Sequence, residues 1–229
     1  MSRGPRRPFA LWGTVLVLLL SVTATARPML QRERIVDALT RPISETSKAD
    51  WLGMGPPLTT NKLLVDLATG KGVPRIYQLR ALEVLPFFPT KQSMQVLWEV
   101  VYDRDTDDVR RKVALRSLGA GWQSEVLHDL ISFLDEQSET LREGAVMGIG
   151  LIDDPRVTTL LENRLYREET IRVRLAIEKA LQQSRQYDMA RDRRDAENIF
   201  EQPVRVFPPG FSPTLPKEPS KGRADQPQR

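Results

Sequence analysis

The chain has 229 residues, no cysteine and one histidine, with 34 basic and 30 acidic residues. The missing thiols exclude cysteine nucleophiles, thiolate-bound metals and a lipidated cysteine at an export cleavage site. The net charge of +4 is concentrated at the start, where Arg3, Arg6 and Arg7 meet no acid in the first 26 residues; residues 27–229 hold 31 basic and 30 acidic groups, net +1. That balance gives no nucleic-acid footprint.

Met1 to Ala26 reads as a secretory signal peptide. Arg3, Arg6 and Arg7 form a positive leader, Phe9 to Val22 is apolar and uncharged, and Ala24-Thr25-Ala26 is a small-residue cleavage signal before Arg27. The expectation is an exported protein, periplasmic or extracellular. If the segment is left uncleaved, residues 9–26 become an N-terminal membrane anchor, since 18 residues approach the ~20 a spanning helix needs.

Residues 27–57 form an approach segment. A short helix is expected over 29–39, with Leu30, Ile35, Val36 and Leu39 on its apolar side. Pro42, Gly53, Gly55, Pro56 and Pro57 then interrupt it, and Trp51 among them is expected to fold back onto the first helix of the array. From Leu58 to Ser184 the texture is continuously helical. Helix 59–69 carries Leu63, Leu64 and Leu67 and ends at Gly70 and Gly72. Helix 74–85 starts on Pro74, whose missing N–H costs nothing in a first turn. Pro86 and Pro89 force a turn before helix 90–102, striped by Met94, Leu97, Trp98 and Val101.

Three further segments complete the series. Helices 108–118 and 124–134 are separated by the expected breakers Gly119 and Gly121, with Ser124 as N-cap of the second. Helices 139–151 and 155–167 are separated by Asp153-Asp154-Pro155. Helix 170–183 closes the array with Val173, Ala176, Ile177 and Leu181. No stretch alternates with period two, so the fold class is all-α. Residues 185–229 form a charged, then Pro-rich tail: Arg185 to Asp195 could extend the last helix as a polar cap on the stack, whereas seven of the 29 residues from Glu201 onward are proline and that part is expected to be extended or disordered.

One pattern organises these helices. Arg75, Arg111, Arg142 and Arg174 recur at spacings of 36, 31 and 32 residues. Seven residues after each comes Leu82, Leu118, Ile149 or Leu181; three residues after comes Ala114, Ala145 or Ile177, with Gln78 as the exception. A period of this size in helical sequence means about four stacked helix pairs, an α-α superhelix or solenoid over residues 58–184. Short helices of this kind are marginal alone, so stacking must stabilise them.

The copies from Val109 to Gly119 and from Leu141 to Gly150, the loop Leu151 to Val157 and the opening helix Ile171 to Ile177 resemble HEAT repeats, of the armadillo-type short variety also found in phycobilisome bilin lyases. The resemblance covers roughly residues 58–184 and implies a fold shared by many functions. It points to a non-enzymatic scaffold or adaptor, holding a protein or peptide of the cell envelope along a groove lined by the second helix of each pair. The alternative it leaves open is a small-molecule-binding protein or enzyme similar to the bilin lyases.

Individual residues add little chemistry. Each repeated arginine follows an acid-rich loop and is expected to form a structural ladder, bonding loop carbonyls and acids between repeats. Asp103 to Asp108 begins like a calcium loop, but Asp108 stands where glycine is required and Ala114 where a glutamate is required. His128 has no second histidine or cysteine with which to bind a metal. No nucleophile triad, P-loop or dinucleotide motif is present, so no catalytic residue and no cofactor are assigned. Trp122, read as part of a Gly-bounded loop, His128, one step past the stripe residue Leu127, and Glu162 and Tyr166, off their stripe, are the candidate partner-binding residues.

Overall fold

The computed structural model describes residues 31–42 and 45–201, and every regular element among them is helical. Residues 1–26, read above as a signal peptide, and the Pro-rich residues 202–229 lie outside the described residues. Helix α1 covers 31–40. It is followed by α2 (Lys48–Leu52), α3 (Pro57–Thr69), α4 (Arg75–Val84) and α5 (Lys91–Tyr102). The series continues with α6 (Asp108–Trp122), α7 (Leu127–Ser132), α8 (Glu139–Ile149), α9 (Arg156–Arg167) and α10 (Ile171–Glu201).

Short polar residues set the helix starts. Thr90, Asp107 and Ser138 each accept a backbone N–H from the first turn of α5, α6 and α8. Ser47 and Asp50 cap α2 reciprocally. Such caps satisfy N–H groups that no helix can satisfy itself.

The repeat pattern faces inward. Leu82, Leu118, Ile149 and Leu181 are all buried, as are Ala114, Ala145 and Ile177. They belong to one continuous apolar core from Ile35 to Leu181. Gln78, the exception, is half-buried and donates to the Gly70 carbonyl at 3.0 Å, closing the end of α3. Trp51 is 1% exposed, and its indole N–H donates to Thr46 Oγ1 at 3.1 Å. Its helix, α2, packs on the turn Leu85–Phe87, and Trp51 joins the core that also holds Leu64 and Ala68 of α3. A polar link ties α3 to α5: Ser93 Oγ donates to Asn61 Oδ1 at 2.7 Å, and Asn61 Nδ2 donates to Thr90 Oγ1 at 3.0 Å.

Gly119 and Gly121 do not break the helix as the sequence suggests; α6 runs through both to Trp122. The reason is packing. A Cβ at Gly119 would stand 2.1 Å from the Gly148 carbonyl oxygen, and one at Gly148 would stand 2.6 Å from that of Leu115. These glycines let the backbones of α6 and α8 touch. The true end of α6 is Gln123, at φ 52°. A non-glycine residue there costs about 1–3 kcal/mol. Its side chain offsets that cost by donating to the Gly119, Ala120 and Leu151 carbonyls, each at 3.3 Å, and by accepting from the Asp153 N–H at 3.0 Å. In consequence α7 starts at Leu127, and Ser124 caps no helix. Past Ser184 the composition turns charged, and α10 continues through this stretch to Glu201, as the polar-cap alternative for Arg185 to Asp195 allowed.

Contacts divide the chain after Ala190. The unit ending there holds all the core described above. Of the second unit, residues 191–201 are helical.

Candidate functional site

Three of the four ladder arginines tie the start of their own helix to the end of the preceding one or to the loop that follows it. Arg111 Nε donates to the Val101 carbonyl at 2.8 Å. Arg142 Nη1 donates to the Glu136 and Gln137 carbonyls at 2.8 and 3.0 Å. Arg174 Nη1 donates to the Leu165 and Glu168 carbonyls at 3.0 and 2.9 Å. Arg75 instead reaches forward to Asp107 Oδ1 at 2.6 Å, in a pair that is largely exposed.

Arg142 also crosses to the next repeat. Its Nε and Nη2 form a fork on Glu168, both bonds at 3.1 Å, and Nη2 donates to Thr170 Oγ1 at 2.9 Å. Arg164 Nη2 approaches the same carboxylate at 2.7 Å. The Glu168 side chain is 2% exposed. Burial pushes its carboxyl up, but the bonds from Arg142, Arg164 and Thr170 outweigh burial and hold it at about 2. Asp154, also buried, is held at about 2 chiefly by the hydrogen bonds of Arg156 against the effect of burial, with Ser124 among the smaller contributors. These two carboxylates sit in the loops flanking α9 and are already bound by arginines. Their chemistry is that of joints between helices.

The accessible face lies elsewhere. A groove of about 730 Å³ opens over α6, α8 and α10. Its floor and walls are Met147, Gly150, Leu151, Ile171, Leu175 and Ala176. Ile171 is 75% exposed and Leu175 60% exposed, one turn apart on the same helix. The charged groups at the groove are Arg116, Glu143, Arg172 and Lys179. Glu143 is occupied from both sides: Lys112 Nζ stands 2.6 Å from Oε1 and Arg172 Nη2 stands 2.6 Å from Oε2. Arg116 and Lys179 form no ion pair or hydrogen bond among the described residues. The groove is therefore apolar with a cationic excess. It lies on the first helix of each pair; a smaller cleft of about 320 Å³, lined by Ile131, Leu134, Leu160 and Arg164, runs along the second helices, where the sequence reading placed the binding groove.

The four residues singled out from sequence do not share this groove. Trp122 is not in a loop; it is the last residue of α6, half-buried, and lines a cleft with Pro89, Lys91 and Met94. His128 is exposed on α7. Tyr166 is 89% exposed on α9. One turn earlier, Glu162 is bound by Arg185 at 3.0 Å. Sequence reasoning missed Arg116, Met147, Leu175 and Lys179. A signal for them exists: they occupy positions one and five after the ladder arginines, where Leu175 leaves an aliphatic residue outside the buried stripe.

The acidic loop from Asp103 bonds to itself. Asp103 Oδ2 accepts from Thr106 Oγ1 at 2.7 Å, and Oδ1 accepts from the Asp105 N–H at 3.0 Å. These bonds hold its carboxyl below the usual range. Among the described residues no cluster of three metal-ligating side chains occurs, and no helix is long and apolar enough to cross a membrane.

Comparison with known families matches residues 99–182 to HEAT repeats. No curated protein and no solved structure matches the chain.

Proposed function

The chain belongs to the HEAT-repeat proteins through residues 99–182, and on that premise we propose that it is an exported, non-enzymatic scaffold or adaptor. Its array holds a protein or peptide partner of the cell envelope. HEAT repeats commonly serve as protein-interaction scaffolds, and the observation that carries the reading here is the exposed pair Ile171 and Leu175 at the mouth of the groove. Side chains of this size shed about 1.5–3 kcal/mol each when a partner covers them, which favours association. Export is supported by Arg3, Arg6, Arg7, the apolar run Phe9 to Val22 and the Ala24-Thr25-Ala26 motif.

Crosslinking in cells followed by affinity capture tests the reading. The unaltered chain should retain a protein partner from the envelope fraction. The double variant Ile171→Asp with Leu175→Asp should lose it while keeping its helical circular dichroism. Retention by that variant, or capture of no protein at all, contradicts the proposed binding face. The mass of the recovered protein tests export separately: a chain starting at Arg27 agrees with it, and a full-length chain in the cytosol does not.

A further inference from the structure

We infer that the α6–α8–α10 groove receives an acidic amphipathic segment of its partner, an apolar ridge bordered by carboxylates. The inference rests on the scaffold reading and adds the partner's chemistry to it.

The repeat itself arranges the recognition surface. The ladder arginine fixes each first helix in register, so positions one and five after it recur on the same outer face, one turn apart. In α6 they are Lys112 and Arg116, in α8 Glu143 and Met147, and in α10 Leu175 and Lys179. α8 is packed against α6 through Gly119 and Gly148, and against α10 through Gly150 and Ala180. It therefore lies between the two helices that carry the cations. Met147 and Leu175, joined by Ile171, make the apolar strip; Arg116 borders it from α6 and Lys179 from α10.

Charge decides between occupants. Glu143 is the one carboxylate lining the groove; Lys112 donates to its Oε1, and its Oε2, which accepts no hydrogen bond, is buried 2.6 Å from the Arg172 guanidinium. A basic segment would find no free acid here. An acidic segment finds the Arg116 guanidinium, a planar fork suited to a carboxylate, and the three ammonium donors of Lys179. The aliphatic stems of both residues widen the apolar strip at the same time. Exposed charges of this kind select the partner and speed its approach, with a salt dependence that reveals them.

Two labelled 18-residue helical peptides serve as probes, each with leucine along one face and either glutamate or lysine bordering it. Fluorescence anisotropy with the purified chain should show the glutamate peptide binding at least ~tenfold more tightly than the lysine peptide. Raising salt from ~0.05 to ~0.5 M should shrink that difference. The double variant Arg116→Glu with Lys179→Glu should reverse the preference, whereas Lys62→Glu, a single charge reversal on α3, should leave it intact. Equal binding of the two peptides, no binding of the glutamate peptide below ~1 mM, or an unreversed preference in the double variant overturns the inference. In-cell capture separates this failure from that of the scaffold reading. A partner lost with Ile171→Asp and Leu175→Asp but kept by the charge-reversed variant preserves the scaffold and removes the acidic segment. A partner kept by both removes the groove reading itself.

Discussion

Two joints in this array use the same residue type for the same task and are built to very different strengths. At the joint between the last two repeats, the Arg142 side chain is 14% exposed and forks onto a Glu168 side chain that is 2% exposed. At the first joint, Arg75 is 58% exposed and Asp107 42% exposed, and one bond joins them. An exposed pair gains little over its hydration and is screened by salt. A buried pair is different: removing one partner strands the other's charge out of water. The repeat motif thus fixes where an arginine stands, and its surroundings decide what it contributes.

The largest effect is expected from Glu168→Ala, which leaves Arg142 and Arg164 without their shared carboxylate. Unfolding in denaturant should show a loss of about 3–5 kcal/mol. A loss below about 1 kcal/mol would place this joint with the exposed pairs. Acid should act through the same group. The folded carboxyl lies at about 2 against an ordinary 4.5, so its contribution is complete above pH about 4.5 and gone once the pH falls through about 2. At most about 3 kcal/mol should disappear over that window, and Glu168→Gln should flatten that part of the stability profile. An unchanged profile in the variant would assign the acid sensitivity elsewhere.

Gly119→Ala probes the close backbone crossing of α6 and α8. The added methyl meets the backbone of Gly148, so a loss of about 1–3 kcal/mol is expected from thermal or chemical unfolding. A stabilised variant would mean that Gly119 serves no close approach. The smallest effect should come from Arg75→Ala, under about 1 kcal/mol and smaller still at high salt. A larger loss would erase the contrast between the joints.

Much of the fold could be read from the sequence because helical periodicity and the recurrent arginine report on burial directly. The positions three and seven after each arginine are the core, and Gln78 departs from the pattern where a helix end needs an amide instead. What could not be read were contacts between helices. Glycine breaks a helix or allows a close crossing, and only the neighbouring backbone of Gly148 decides which Gly119 does. Gln123 ends α6 through bonds to the loop after α8, a partner nearly thirty residues away that no local rule anticipates. The groove escaped for a related reason. Tyr166 and Trp122 stand out as single residues, whereas Met147, Leu175, Arg116 and Lys179 form a surface only when three helices are set side by side.

The most direct test of the binding face is photocrosslinking in living cells, with p-benzoylphenylalanine placed at position 175 in one strain and at position 166 in another. The account predicts a discrete crosslink to a protein from position 175, abolished by Arg116→Glu with Lys179→Glu, and none from position 166. A discrete crosslink from position 166 alone would move the partner to α9 and contradict the groove over α6, α8 and α10.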